Sequence, residues 1–123
     1  MFNSLAQSKW NGNTTPTYHE LIAYLKQVSS LNIEVELYNM GKSDYGLPIY
    51  VCILNGAQDS LKTFIKARKE TTILFNNAIH PGEPDGVNAC LLWLDEMVEQ
   101  KGGLEDLPLV AFIPVYNVGG MIN

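Results

Sequence analysis

Three neighbouring segments of the chain predict an α/β protein, a three-layer α/β sandwich. Residues 71–79 form a short apolar run rich in β-branched side chains, the pattern of a strand buried on both faces. Val87, Cys90, Leu91, Leu94, Met97 and Val98 then recur at helical spacing, with Gly102-Gly103 as a stop signal. Residues 109–116 form a second buried strand. Strand, helix and strand in that order predict a parallel pair, with residues 86–100 as a right-handed crossover helix.

The remaining elements follow from the N-terminus. Residues 1–15, polar and rich in Asn and Thr, read as an irregular arm covering the body of the domain. Pro16 leads into a capping box, in which Thr17 accepts from free helical N–H groups and Glu20 reaches back to Thr17. Leu21, Ile22, Leu25 and Val28 give that helix its buried stripe. Residues 33–38 and 47–54 read as two strands of a hairpin joined through Gly41 and Gly46. Residues 59–69 make a short polar surface helix or loop, with Lys62, Lys66, Arg68 and Lys69 on one solvated face.

Composition bounds the class. With 123 residues at 46% hydrophobic content there is apolar material for one core and not for two, and no repeat or linker divides the chain. The net charge of −5 argues against a nucleic-acid surface. No apolar run reaches the roughly 18 to 20 residues that cross a membrane, and residues 1–15 lack the pattern of a signal peptide. Neither nucleic acid nor membrane is therefore expected as a partner.

Chemistry concentrates in residues 78–86, where His80 and Glu83 stand three apart at a strand-to-helix junction. The carboxyl end of a strand is where open α/β sheets bind ligands. Imidazole nitrogen and carboxylate oxygen both suit Zn²⁺, and catalytic zinc takes three protein ligands, so the pair reads as part of a zinc site, while a histidine three residues before a glutamate also reads, taken alone, as a plain polar loop. The other histidine, His19, falls in the first turn of a helix and reads as a solvent-facing or capping-region residue. Asn76 and Asn77 either orient His80 or satisfy backbone groups at the strand end. Asp85 suits a helix start through the dipole alone. Trp93 and Leu94 read as core, and Cys52 and Cys90 as small core residues rather than a disulfide.

In order and spacing these motifs resemble the zinc metallocarboxypeptidases of the carboxypeptidase A type, in particular bacterial members with a His-Pro-Gly-Glu-Pro motif. Thr17-Tyr18-His19-Glu20-Leu21 looks like the family's first helix, and Gly41-Lys42-Ser43 with Gly46-Leu47-Pro48-Ile49 like its hairpin. Ile113-Pro114-Val115-Tyr116-Asn117-Val118-Gly119-Gly120 looks like its strand and Asn-Pro-Asp-Gly turn, with Val118 and Gly119 in place of proline and aspartate. The resemblance implies a zinc-carboxypeptidase-like (phosphorylase/hydrolase-like) α/β/α sandwich with a mixed sheet. Its order would be hairpin strand one, hairpin strand two, the last strand, then the motif strand.

The same resemblance implies His80 and Glu83 as zinc ligands, assigns no catalytic residue here, and makes a peptide the substrate of the complete enzyme. The family's third ligand histidine, carboxylate-binding residues and general-base glutamate come after the region matched. Residues 1–123 thus read as the truncated N-terminal portion of a catalytic domain, inactive alone and holding zinc weakly. Two other readings stay open: a zinc amidohydrolase of the aspartoacylase and succinylglutamate desuccinylase type, and a non-catalytic domain binding a peptide or partner. The acylase motif has asparagine before its glutamate where this chain has Gly82. Truncation would leave the motif strand without its flanking strand and drive homo-oligomer formation through the exposed sheet edge. The chain as written reads as soluble, and as exported if a leader has been removed.

Overall fold

The computed structural model describes residues 13–55, 72–100, 103 and 108–123. The expected surface segment at 59–69 and most of the expected arm at 1–15 lie outside these residues.

Helix α1 (Tyr18–Leu31) starts where the sequence places it, on a complete Thr17/Glu20 capping box. The Thr17 hydroxyl accepts from the Glu20 N–H at 3.3 Å, and the Glu20 carboxylate accepts from the Thr17 N–H at 3.0 Å. Its buried stripe holds the four expected residues together with Tyr18 and Tyr24. Strand β1 (Val35–Lys42) begins two residues later than expected, because Ile33 is left exposed, and it runs on through Gly41. That glycine does not make the hairpin turn. It sits at φ +119° where the register with β2 (Pro48–Leu54) shifts between Asn39 and Lys42, a bulge that suits a residue without Cβ. The turn lies at residues 43–47, closed by Ser43 N–H to Leu47 O at 2.8 Å, with Gly46 at φ +87°.

Strand β3 (Thr72–Asn76) and β4 (Leu109–Ile113) pair in parallel, joined through helix α2 (Asp85–Glu99). The sheet is mixed, with β1 antiparallel to β2, β2 antiparallel to β4, and order β1-β2-β4-β3. Helix α3 (Val118–Ile122) follows the last strand on an Asn117 cap.

One face of the sheet carries the main core. Leu54, Cys52, Val110 and Phe112 meet Leu21, Leu25 and Val28 of α1 and Val87, Leu91 and Leu94 of α2. The opposite face holds a smaller cluster of Ile53 and Leu109 with Tyr38, Val51 and Ala111. β3 departs from expectation: all five of its residues are exposed, so it is not buried on both faces. Among the described residues it pairs only with β4, at the sheet edge, and Leu74 points to the face away from the main core.

Candidate metal centre

The motif strand ends at Asn76, and three residues carry the chain to His80. Asn77 N–H donates to Ile113 O at 3.1 Å and Asn77 O accepts from Tyr116 N–H at 2.9 Å, continuing contact with the chain beyond β4. Ala78 then adopts φ +51°, a left-handed conformation costly for a residue with a Cβ, and this bend takes the chain out of the sheet. Its carbonyl accepts from Asn117 N–H at 3.0 Å. A turn follows, closed by Glu83 N–H to His80 O at 3.0 Å. Pro81 presets φ at its second position, which favours the turn and sets both side chains on one side. α2 begins at once with Asp85 in its first turn, an acid placed well for the dipole.

The structure brings His80 and Glu83 together, Nδ1 to Oε2 at 3.5 Å, with both side chains exposed. Two donors about 2.0 to 2.2 Å from one tetrahedral zinc stand about 3.4 Å apart, a separation close to the observed one, which is also that of a direct contact between imidazole and carboxylate. An open cleft of about 420 Å³ lies against the pair, lined also by Asn76, Asn77, Asp85 and Gly86. No group of three potential metal-ligating side chains occurs among the described residues. His19 is exposed on α1, where its ring meets Tyr18 edge-on at 5.3 Å.

The Asn77 side chain takes neither of its two expected roles, and bonds instead to the neighbouring helix. It is buried and donates to Cys90 Sγ on α2 at 3.1 Å, while the Asn77 backbone groups bond to the segment after β4. Gly86 permits this approach, since a Cβ there would lie 3.0 Å from Asn77 Oδ1. Cys52 and Cys90 are both free and buried. Burial pushes both thiols up, against a smaller lowering of Cys90 by the Asn77 bond, so they remain protonated and unreactive at neutral pH. Sequence reasoning missed the part played by Asn117 and Gly120, which lie against the motif loop. The visible signal was an asparagine at a helix start followed by two glycines.

Two solved structures share this arrangement of elements. Bovine thrombin-activatable fibrinolysis inhibitor in complex with tick carboxypeptidase inhibitor superposes with a TM-score of 0.68 at 19% identity, over 88% of this chain and 33% of that one. A further structure of thrombin activatable fibrinolysis inhibitor gives 0.67 at 18% identity, over 88% and 27%. The chain thus spans about a third of the length of these structures, and at such identities they show the fold alone. No match is found among curated proteins. The zinc carboxypeptidase family model matches residues 21–121, which contain the hairpin, the motif turn and both parallel strands. With that much of the sequence accounted for, this chain belongs to the zinc carboxypeptidase family.

Proposed function

We propose that this chain is the N-terminal portion of a zinc carboxypeptidase catalytic domain, and that His80 and Glu83 supply two of the metal's ligands. The observation that carries this reading is the 3.5 Å separation of His80 Nδ1 and Glu83 Oε2 at the carboxyl end of β3. The reaction is hydrolysis of a C-terminal peptide bond, with a peptide as substrate. Bound zinc supplies Lewis acidity toward the scissile carbonyl. His80 and Glu83 contribute an imidazole nitrogen and an oxygen with one negative charge, held close by the turn between them. Neither is the general base, since both are committed to holding the metal. With two protein donors the metal is held weakly by residues 1–123, which hydrolyse no peptide on their own. The family match favours a peptidase over the acylase type, and the exposed β3 edge favours self-association of the chain.

Zinc titration of the purified chain tests the ligand assignment. Saturable uptake is expected, with well under one zinc per chain surviving dialysis, and both His80→Ala and Glu83→Gln abolish it. Uptake that survives either substitution overturns the assignment. Full stoichiometry after dialysis overturns the weak-holding proposal.

A further inference from the structure

We propose that Gly120, together with Asn117, is a positioning residue for the His80–Glu83 pair, an inference that rests on the zinc-ligand reading above. His80 is exposed, and its side-chain contact is with Glu83, itself exposed, so its place is set through its chain neighbours. Those neighbours are seated on the start of α3. Ala78 O accepts from Asn117 N–H at 3.0 Å, and Ile79 O accepts from Asn117 Nδ2 at 3.4 Å. The same Asn117 side chain accepts from Gly120 N–H at 2.9 Å through Oδ1, so one residue ties the helix start to the strand side of the loop. On the other side of His80, the Pro81 ring occupies the space where residue 120 would carry a side chain. A Cβ on Gly120 would lie 2.6 Å from Pro81 Cγ and 3.0 Å from the Asn117 side chain.

Magnitude decides that this contact matters. Contacts under 3.0 Å are essentially never adopted by a Cβ and ordinary contact begins at 3.4 Å, so any side chain at 120 must shift the Pro81 ring or α3 by about 0.4 to 0.8 Å. Functional donors tolerate displacements of only about 0.5 Å, and Pro81 is directly bonded to His80. Gly120 itself is not in the left-handed region, so alanine strains no backbone there and a substitution reads its contacts with Pro81 and with the Asn117 side chain.

The test is zinc titration of the whole chain followed through the His80 ring resonances, with His19 as the internal control for non-specific binding. Gly120→Ala is expected to weaken zinc about tenfold, the range for residues that orient a metal ligand. Pro81→Ala removes the colliding Cγ, so Gly120→Ala/Pro81→Ala is expected to bind as Pro81→Ala alone does. Asn117→Ser, which keeps a cap but is too short to reach Ile79, should weaken zinc in the same direction. A core variant, Val28→Ala, should lower the melting temperature without changing zinc affinity, separating positioning from lost stability. Wild-type affinity in Gly120→Ala, or a double variant no better than Gly120→Ala, overturns this inference and leaves the ligand assignment intact. If Gly120→Ala fails to fold, the double variant carries the test, and its failure to fold or to bind overturns the inference equally. Absence of His80-dependent zinc binding in the wild type overturns the ligand assignment and this inference with it.

Discussion

The Tyr24 hydroxyl donates to Asp95 Oδ1 at 3.3 Å inside the core, a bond between α1 and α2 across 71 positions of sequence. Burial first, then the Asp95 carboxylate, pushes the Tyr24 phenol well above its usual value. Burial and the Glu36 carboxylate, which accepts from the Tyr38 hydroxyl, push Tyr38 up to about 12. A phenol whose pKa is raised on folding contributes stability that is complete below the unfolded value near 10 and lost as pH climbs toward the folded value. Native stability should therefore fall between about pH 10 and 12, with Tyr24 and Tyr38 among the last of the six tyrosines to ionise. Tyrosinate absorbance recorded beside circular dichroism checks this, and full ionisation near 10 with the fold intact would contradict it. Tyr24→Phe should cost about 1 kcal/mol at neutral pH, the size of one hydrogen bond. The closeness of His80 and Glu83 was legible because they stand three residues apart in one turn. Asn77 was not, because its partner Cys90 comes from another element and only the fold brings the two together.

Elements whose signals are local were also legible. The Thr17/Glu20 box starts α1 where expected, since both of its bonds span three residues. Thr17→Ala should lower stability by about 1 kcal/mol, read as a reduced urea midpoint with unchanged slope. Thr17→Ser, which keeps the acceptor, should recover most of it. The hairpin strands were legible with their glycines, and Gly46 lies in the turn as expected, but Gly41 serves a bulge in β1 and not the turn. A glycine demands a place for positive φ, and sequence alone does not say whether a turn or a register shift uses it. For residues 71–79 composition misled more deeply. An apolar β-branched run records what a strand packs against in some context, whereas here Ile73 and Phe75 face the core side at the sheet's edge and Leu74 faces away from it. Phe75 finds Trp93 of α2 at 6.2 Å, a contact that explains its place without burying it.

At the scale of the molecule, that edge sets how copies of the chain should behave. Among the described residues β3 has β4 on one side only, and it presents Ile73, Leu74 and Phe75, at 39%, 61% and 41% exposure, beside the outward half of its N–H and C=O groups. This five-residue edge, with three apolar residues between Thr72 and Asn76, lacks the charges, prolines and bulges with which edge strands resist pairing. The bulge in this sheet lies on β1, at the opposite edge, so it protects the wrong side. Two copies pairing through β3 would each satisfy the other's open backbone groups and cover the apolar row. A dimer is therefore expected at micromolar concentration, with amides on the outer side of β3 slower to exchange in the dimer than in diluted protein. Leu74→Lys is the discriminating substitution, because Leu74 stands on the face away from the main core and a lysine there disturbs little of the packing. Circular dichroism should be unchanged while sedimentation shifts from dimer to monomer. Phe75→Lys, in contrast, also removes the Trp93 contact and should lower stability as well as association. A wild-type chain that sediments as a folded monomer across the concentration range, or a Leu74→Lys variant that still dimerises, would show that this edge is not the contact.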